Sequence, residues 1–128
     1  MIVVDTNAMI YLLTGVGPGE EAAEHLSRDP EWAAPALLMS ELRNVVVRLV
    51  RAGRMDMADA TAICRDAQDI LGDRMACVPS GPVLELAMKE GLSAYDAEFV
   101  VLARRLNVPL LTADRALQEA APDVAVPL

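Results

Sequence analysis

Apolar residues along this chain keep two rhythms. Short unbroken runs, rich in β-branched residues, alternate with longer stretches in which apolar positions recur every three or four residues. The first run, Ile2 to Val4, leads directly into Asp5, Thr6 and Asn7. A run of this length reads as a buried strand. Asn7 to Leu13 opens a helix, which Gly15, Gly17, Pro18 and Gly19 break. Glu20 to Leu26 reads as a short helix ending near Pro30, and Trp32 to Ala34 as a small strand before Pro35.

From Ala36 to Ala52 the apolar positions are Leu37, Leu38, Leu42, Val45, Val46, Leu49 and Val50, which is helical spacing. Gly53 stops that helix. Asp56 starts another, with Ile63, Ala67, Ile70 and Leu71 facing inward and Gly72 at its end. The two are predicted to form a helical hairpin. Met75 to Val78 reads as a strand, Pro82 to Lys89 and Ala94 to Leu106 as helices, and Val108 to Leu111 as a strand. Asp114 to Ala121 reads as a helix and Val124 to Val126 as a last strand. Strands that alternate with helices throughout predict an α/β fold, a parallel sheet wrapped by helices on both faces.

Composition narrows the chemistry. The 128 residues suit one domain, residues 1–128, and at 54% apolar they can fill a core without staples. No stretch has the basic start of a signal peptide, and none approaches the ~18 apolar residues of a membrane span; a cytoplasmic protein with no membrane partner is expected. Cys64 and Cys77 form no close pair, and His25 is the only histidine. Zinc spacings and Ser-His or Cys-His devices are therefore disfavoured, and two buried free thiols are expected. The formal net charge of −8 attracts no polyanion through the global field. Arg43, Arg48, Arg51 and Arg54 follow one another with no acid between them and could make a local basic patch for RNA, or simply a solvated helix face.

The acids carry the sharper signal. Ligands of an open parallel sheet sit at the carboxyl ends of its strands. Asp5 follows the first strand directly, and Asp114 follows the Val108 to Leu111 strand across Thr112 and Ala113. Glu41 has Leu37, Leu38 and Val45 as same-face helical neighbours, and Asp96 has Leu92, Phe99 and Val100. Both therefore stand on apolar stripes. Glu98 is a weaker competitor, two residues round the helix from Asp96. Each acid alone has an ordinary explanation, such as helix capping for Asp5 and Asp114. Two acids at strand ends, with two on apolar helix faces beside them, ask for more. Two carboxylates ~4 Å apart repel by roughly 4 kcal/mol at an effective dielectric near 20. The natural counterweight is a hard divalent cation, which takes oxygen ligands.

The segments "IVVDTNAMIYLL", "MSELRNVV", "LSAYDAEFVVLARRLNVPLLTAD" and the closing "DVAVPL" resemble the PIN domain, and more narrowly the VapC-type toxins of toxin–antitoxin pairs. The resemblance runs through essentially the whole chain. It implies a PIN-like three-layer α/β/α fold with a central parallel five-stranded sheet. It implies an endoribonuclease dependent on Mg²⁺ or Mn²⁺, which hydrolyses RNA phosphodiesters with a metal-activated water. Asp5, Glu41, Asp96 and Asp114 fall on the acidic positions of the family, with Asp5 and Asp96 as the direct metal ligands. Thr112 and Asn7 fall on supporting polar positions. A homodimer and a cognate antitoxin protein are further family expectations. The chain is more acidic than many such toxins.

Other classes fit less well. A haloacid-dehalogenase-type phosphatase wants a second Asp two residues after the first, where this chain has Asn7. A receiver-like signalling domain wants an acidic pair near the first strand and a lysine after a late one, and the only lysine is Lys89. A non-catalytic PIN-fold binding module and a stand-alone RNA-processing nuclease stay open as alternatives.

Overall fold

Three buried β-branched or apolar side chains in a row leave β1 (Ile2–Val4) with no solvent face, so it lies at the centre of the sheet. A computed structural model describes residues 1–128. The other strands are β2 (Trp32–Pro35), β3 (Met75–Ala76), β4 (Leu110–Thr112) and β5 (Ala125–Pro127). All pair in parallel, in the order β3-β2-β1-β4-β5. The five-stranded parallel sheet expected from the alternating pattern is therefore present.

Seven helices connect the strands. They are α1 (Thr6–Thr14), α2 (Gly19–Arg28), α3 (Leu37–Arg51), α4 (Met57–Leu71), α5 (Ser80–Glu90), α6 (Ala94–Leu106) and α7 (Arg115–Ala120). From β1 the chain steps outward to β2 and β3, then returns past β1 to β4 and β5. Right-handed crossovers in opposite directions put their helices on opposite faces. Accordingly α1 packs with α2, α3 and α4, while α5 packs on α6 and α6 lies across β1, β2 and β4. The three layers and the α3–α4 hairpin match the expectation.

One continuous core holds these layers together. Val3, Val4, Trp32, Leu38, Leu42, Leu71, Val100, Leu110 and Leu111 are all buried in it. A fully buried side chain of the Val or Leu kind contributes roughly 1.5–3 kcal/mol. With few aromatics available, the short strands rely on such aliphatic residues and on Trp32, the chain's single tryptophan.

Some boundaries differ from the sequence pattern, for local reasons. The strand expected to start at Val108 starts at Leu110 instead. Asn107 adopts the left-handed conformation (φ 54°) that ends α6, and the Val108 amide is already bonded to Ala103 O. β3 stops at Ala76 rather than Val78, because its only partner, β2, ends at Pro35 opposite Ala76 and the chain there turns into α3. Cys77 therefore lies outside the sheet and is exposed, and Cys64 is only partly buried. Both thiols are free, but they are not the buried pair that was expected.

Candidate active site at the switch point of the sheet

Strand order reverses between β1 and β4, and in open α/β sheets that reversal leaves a crevice at the carboxyl ends. Val4 pairs with Leu111, so the next residues, Asp5 and Thr112, lie side by side at the carboxyl edge of the sheet. A cavity of about 240 Å³ opens there. Asp5 and Asp114 reach it from strand ends, Glu41 from α3 in one helical layer, and Asp96 from α6 in the other. The structure thus gathers all four predicted acids along one cavity. Asn7 also lines it.

Three of the four carboxylates are held by neighbouring hydroxyls and amides. Asp5 is 5% exposed, the most buried acid in the chain. Its Oδ1 accepts the Ala8 amide at 2.8 Å, and its Oδ2 accepts the Thr112 hydroxyl at 2.5 Å. Asp5 is thus the N-cap of α1 and a cavity residue at once. Thr112, fully buried, also accepts the Asp114 amide at 3.0 Å and so ties the two strand-end acids together. Asp114 caps α7 through Oδ1, which accepts the amides of Ala116 and Leu117 at 2.7 and 3.4 Å. Glu41 Oε1 accepts the Thr6 hydroxyl at 2.6 Å. Asp96 is not the cap of its helix; the Ser93 hydroxyl does that, accepting the Asp96 amide at 3.0 Å.

The electrostatics are those of crowded anions. Burial pushes the Asp5 carboxyl above its ordinary range, and the charges of Asp114 and Asp96 push it further, against bonds from Thr112 and Ala8 that pull it down. Asp96 is raised by burial and then by Asp114. Glu98 is raised by burial and then by Glu41, so it sits nearer the site than its position on α6 suggests. No three ligand-type side chains close into a ready-made cation cage. All four acids line the cavity, with the carboxylates of Asp5, Glu41 and Asp114 turned to separate hydroxyls and amides. What remains is an open set of hard oxygen donors, some already satisfied on one side only. Mg²⁺ suits such a set, since it keeps several waters and takes one or two carboxylates.

A stability prediction follows from these shifts. Carboxyls raised above their unfolded values, 3.8 for Asp5 and Asp96 and 4.5 for Glu98, bind more protons in the native state. Their contribution is fully present below the unfolded values and is lost as pH rises through the folded ones. Protein freed of divalent ions should therefore melt at a higher temperature near pH 5 than at pH 7. Added Mg²⁺ should raise the melting temperature more at pH 7. Calorimetry in EDTA and in Mg²⁺ checks both; a metal-free protein that is more stable at pH 7 would contradict the raised carboxyls.

The four arginines do not form one patch. Arg48 lines the acidic cavity, whereas Arg43 lines an apolar groove between α3 and α4 and Arg54 a third groove beside Leu13 and Met55. Arg51 is exposed and lines neither of these. On a helix, residues two, seven and ten places after Glu41 point in different directions, so adjacency in sequence was not adjacency in space. Thr6 and Asn44 are cavity residues that the motif pattern left out. Asn44 carried a usable signal, because it stands three residues after Glu41. Thr6 carried none, since its bond to Glu41 joins residues 35 apart.

Known proteins resemble this chain in sequence and in fold. The family model "PIN domain" matches residues 2–122. The VapC ribonuclease Mb0985 of Mycobacterium bovis is 33% identical over 126 residues, which is 93% of this chain and 90% of that protein. Among solved structures, PAE2754 from Pyrobaculum aerophilum superposes with a TM-score of 0.76 at 23% identity, over 97% of this chain and 81% of that one. A toxin–antitoxin complex from Klebsiella pneumoniae gives 0.71 at 18% identity, over 98% and 96% of the two chains. At those identities the two structures speak for the fold. With its matched family model, its VapC relative and its strand-end acids, the chain belongs to the PIN domain family, among the VapC-type proteins.

Proposed function

We propose that this protein is an endoribonuclease dependent on Mg²⁺ or Mn²⁺ and the toxin of a toxin–antitoxin pair. The observation that carries the proposal is the cavity at the sheet's switch point, where four carboxylates from two strand ends and two opposite helical layers meet. The ribonuclease name of the Mycobacterium bovis relative and the toxin–antitoxin complex among the fold neighbours support it. RNA is the proposed substrate, a cognate antitoxin and a second copy of the chain the proposed protein partners, and the cytoplasm the proposed location. No helix is long and apolar enough to cross a membrane.

In the proposed site Asp5 and Asp96 would hold the cation directly, and Glu41 and Asp114 would support it. The bound ion supplies Lewis-acid polarisation of the phosphate and a water of lowered pKa. The protein's own part is placement. Thr112 and the Ala8 amide fix both oxygens of Asp5, and each oxygen keeps a further lone pair as acceptor. Thr6 fixes Oε1 of Glu41 and leaves Oε2 without a protein partner, and the α7 amides do the same for Asp114 Oδ2. Those two free oxygens can accept hydrogen bonds from water. No histidine is needed, and His25 lies on α2, away from the cavity lining.

The test is direct. Purified protein should cut RNA in Mg²⁺ or Mn²⁺ and stop on addition of EDTA. Cutting that continues in EDTA would refute the metal requirement. No cutting of any RNA in either ion would favour a non-catalytic binding module.

A further inference from the structure

Four acids around one cavity repel the polyanion they are proposed to cut, so something must offset that repulsion locally. Glu41, Asn44, Val45 and Arg48 all line the cavity. Their spacing of three, four and seven residues is one face of α3. Arg48 is the only cationic side chain in that lining. It is exposed, and it makes no hydrogen bond or salt bridge, although Arg28, Arg74 and Arg104 are each engaged. The carboxylates beside it are turned to amides and hydroxyls instead. A guanidinium presents a fork of donors that matches a phosphate group and is always charged.

We infer that Arg48, with Asn44 one turn before it, anchors the RNA backbone at a phosphate next to the scissile one. This rests on the nuclease reading above. Seven residues set Arg48 about 10 Å along the helix axis from Glu41, so its guanidinium lies beyond the reacting phosphate and reaches an adjoining one. Asn44, also exposed and unbonded, supplies a neutral amide to the sugar or phosphate between them. Arg48 is a substrate-binding residue here, and the chemistry stays with the acids. A rival role exists for any arginine in the last turn of a helix, where it complements the helix dipole. Arg51 shares that last turn but not the cavity, and so separates the two roles.

The test is steady-state cleavage of a labelled RNA oligonucleotide in Mg²⁺ across a series of NaCl concentrations. Arg48→Ala should raise KM by about tenfold and leave kcat within about twofold. The slope of log(kcat/KM) against log[salt] should become shallower by about 0.7, the value for one lost contact to single-stranded phosphate. Arg48→Lys should restore most of that slope. Asn44→Ala should raise KM without changing the slope, and Arg51→Ala should change neither. Arg48→Ala kinetics equal to those of Arg51→Ala, in a parent that cuts normally, would overturn the inference and leave the nuclease reading standing. A parent that cuts no RNA in Mg²⁺ or Mn²⁺ overturns both.

Discussion

Asp96→Asn protein is expected to fold normally and to cut RNA about a thousandfold more slowly than the parent, a loss of ~4 kcal/mol of transition-state stabilisation. Asp96 is the better test of the two direct ligands. Its backbone amide, not its carboxylate, makes the bond to Ser93 Oγ that caps α6. The side chain is only partly buried, and amide replacement leaves no donor stranded. Asp5→Asn should lose as much activity but is less clean. An asparagine there can still accept the Ala8 amide, yet its NH₂ would meet the Thr112 hydroxyl in a fully buried setting, donor against donor. A second readout separates the functional from the structural role of Asp96. Its carboxyl pKa is raised by burial and then by Asp114, so neutralising it should raise the melting temperature of the metal-free protein. A substantial drop would mean that Asp96 is a structural partner, and parental cutting by Asp96→Asn would remove it from the ligand set.

How far this site could be seen in advance depends on which kind of neighbour makes each contact. Asp5 and Asp114 were legible because a strand end is a property of a few consecutive residues, and two such ends of a parallel sheet must share an edge. Glu41 and Asp96 were legible because helical periodicity puts them on apolar stripes, and α3 and α6 do bring them to the cavity from opposite layers. The same arithmetic could have found Asn44 and could have separated Arg48 from Arg43, which was named beside it. The order of the strands was not legible in the periodicity, which gives alternation but not direction. The reversal between β1 and β4 makes the crevice, and it comes from two sets of crossovers running opposite ways. Nor was the separation of the acids legible. It depends on hydroxyls and amides far away in sequence, such as Thr6 for Glu41 and Thr112 for Asp5. Local patterns likewise overran β3, whose end is decided by the end of its partner β2, and placed β4 too early, because Asn107 turns the chain after α6.

Thr112→Val should show how much of the site's order passes through one hydroxyl. That oxygen is fully buried, donates to Asp5 Oδ2, and accepts the Asp114 amide. Valine has nearly the same shape but neither capability, so the carboxylate loses a charge-assisted bond and the amide loses its acceptor. Bonds of that kind are worth about 1.5–3 kcal/mol, which for a chain of this size lowers the melting temperature by roughly 5–15 °C. The Thr112 bond is also the largest influence holding the Asp5 carboxyl down, so its removal lets that carboxyl rise further. Native-state protonation then relieves part of the loss, and the destabilisation should be smaller near pH 5 than at pH 7. Residues that orient a metal ligand typically change metal affinity by about 10–100-fold when lost. The Mg²⁺ concentration for half-maximal cutting should rise by that order, with activity partly recovered at high Mg²⁺. Thr112→Ser, which keeps the hydroxyl, should recover most of both properties. A Thr112→Val protein with parental stability and parental Mg²⁺ dependence would mean that Asp5 is oriented by the α1 amide alone and that the hydroxyl bridge to Asp114 is incidental to the site.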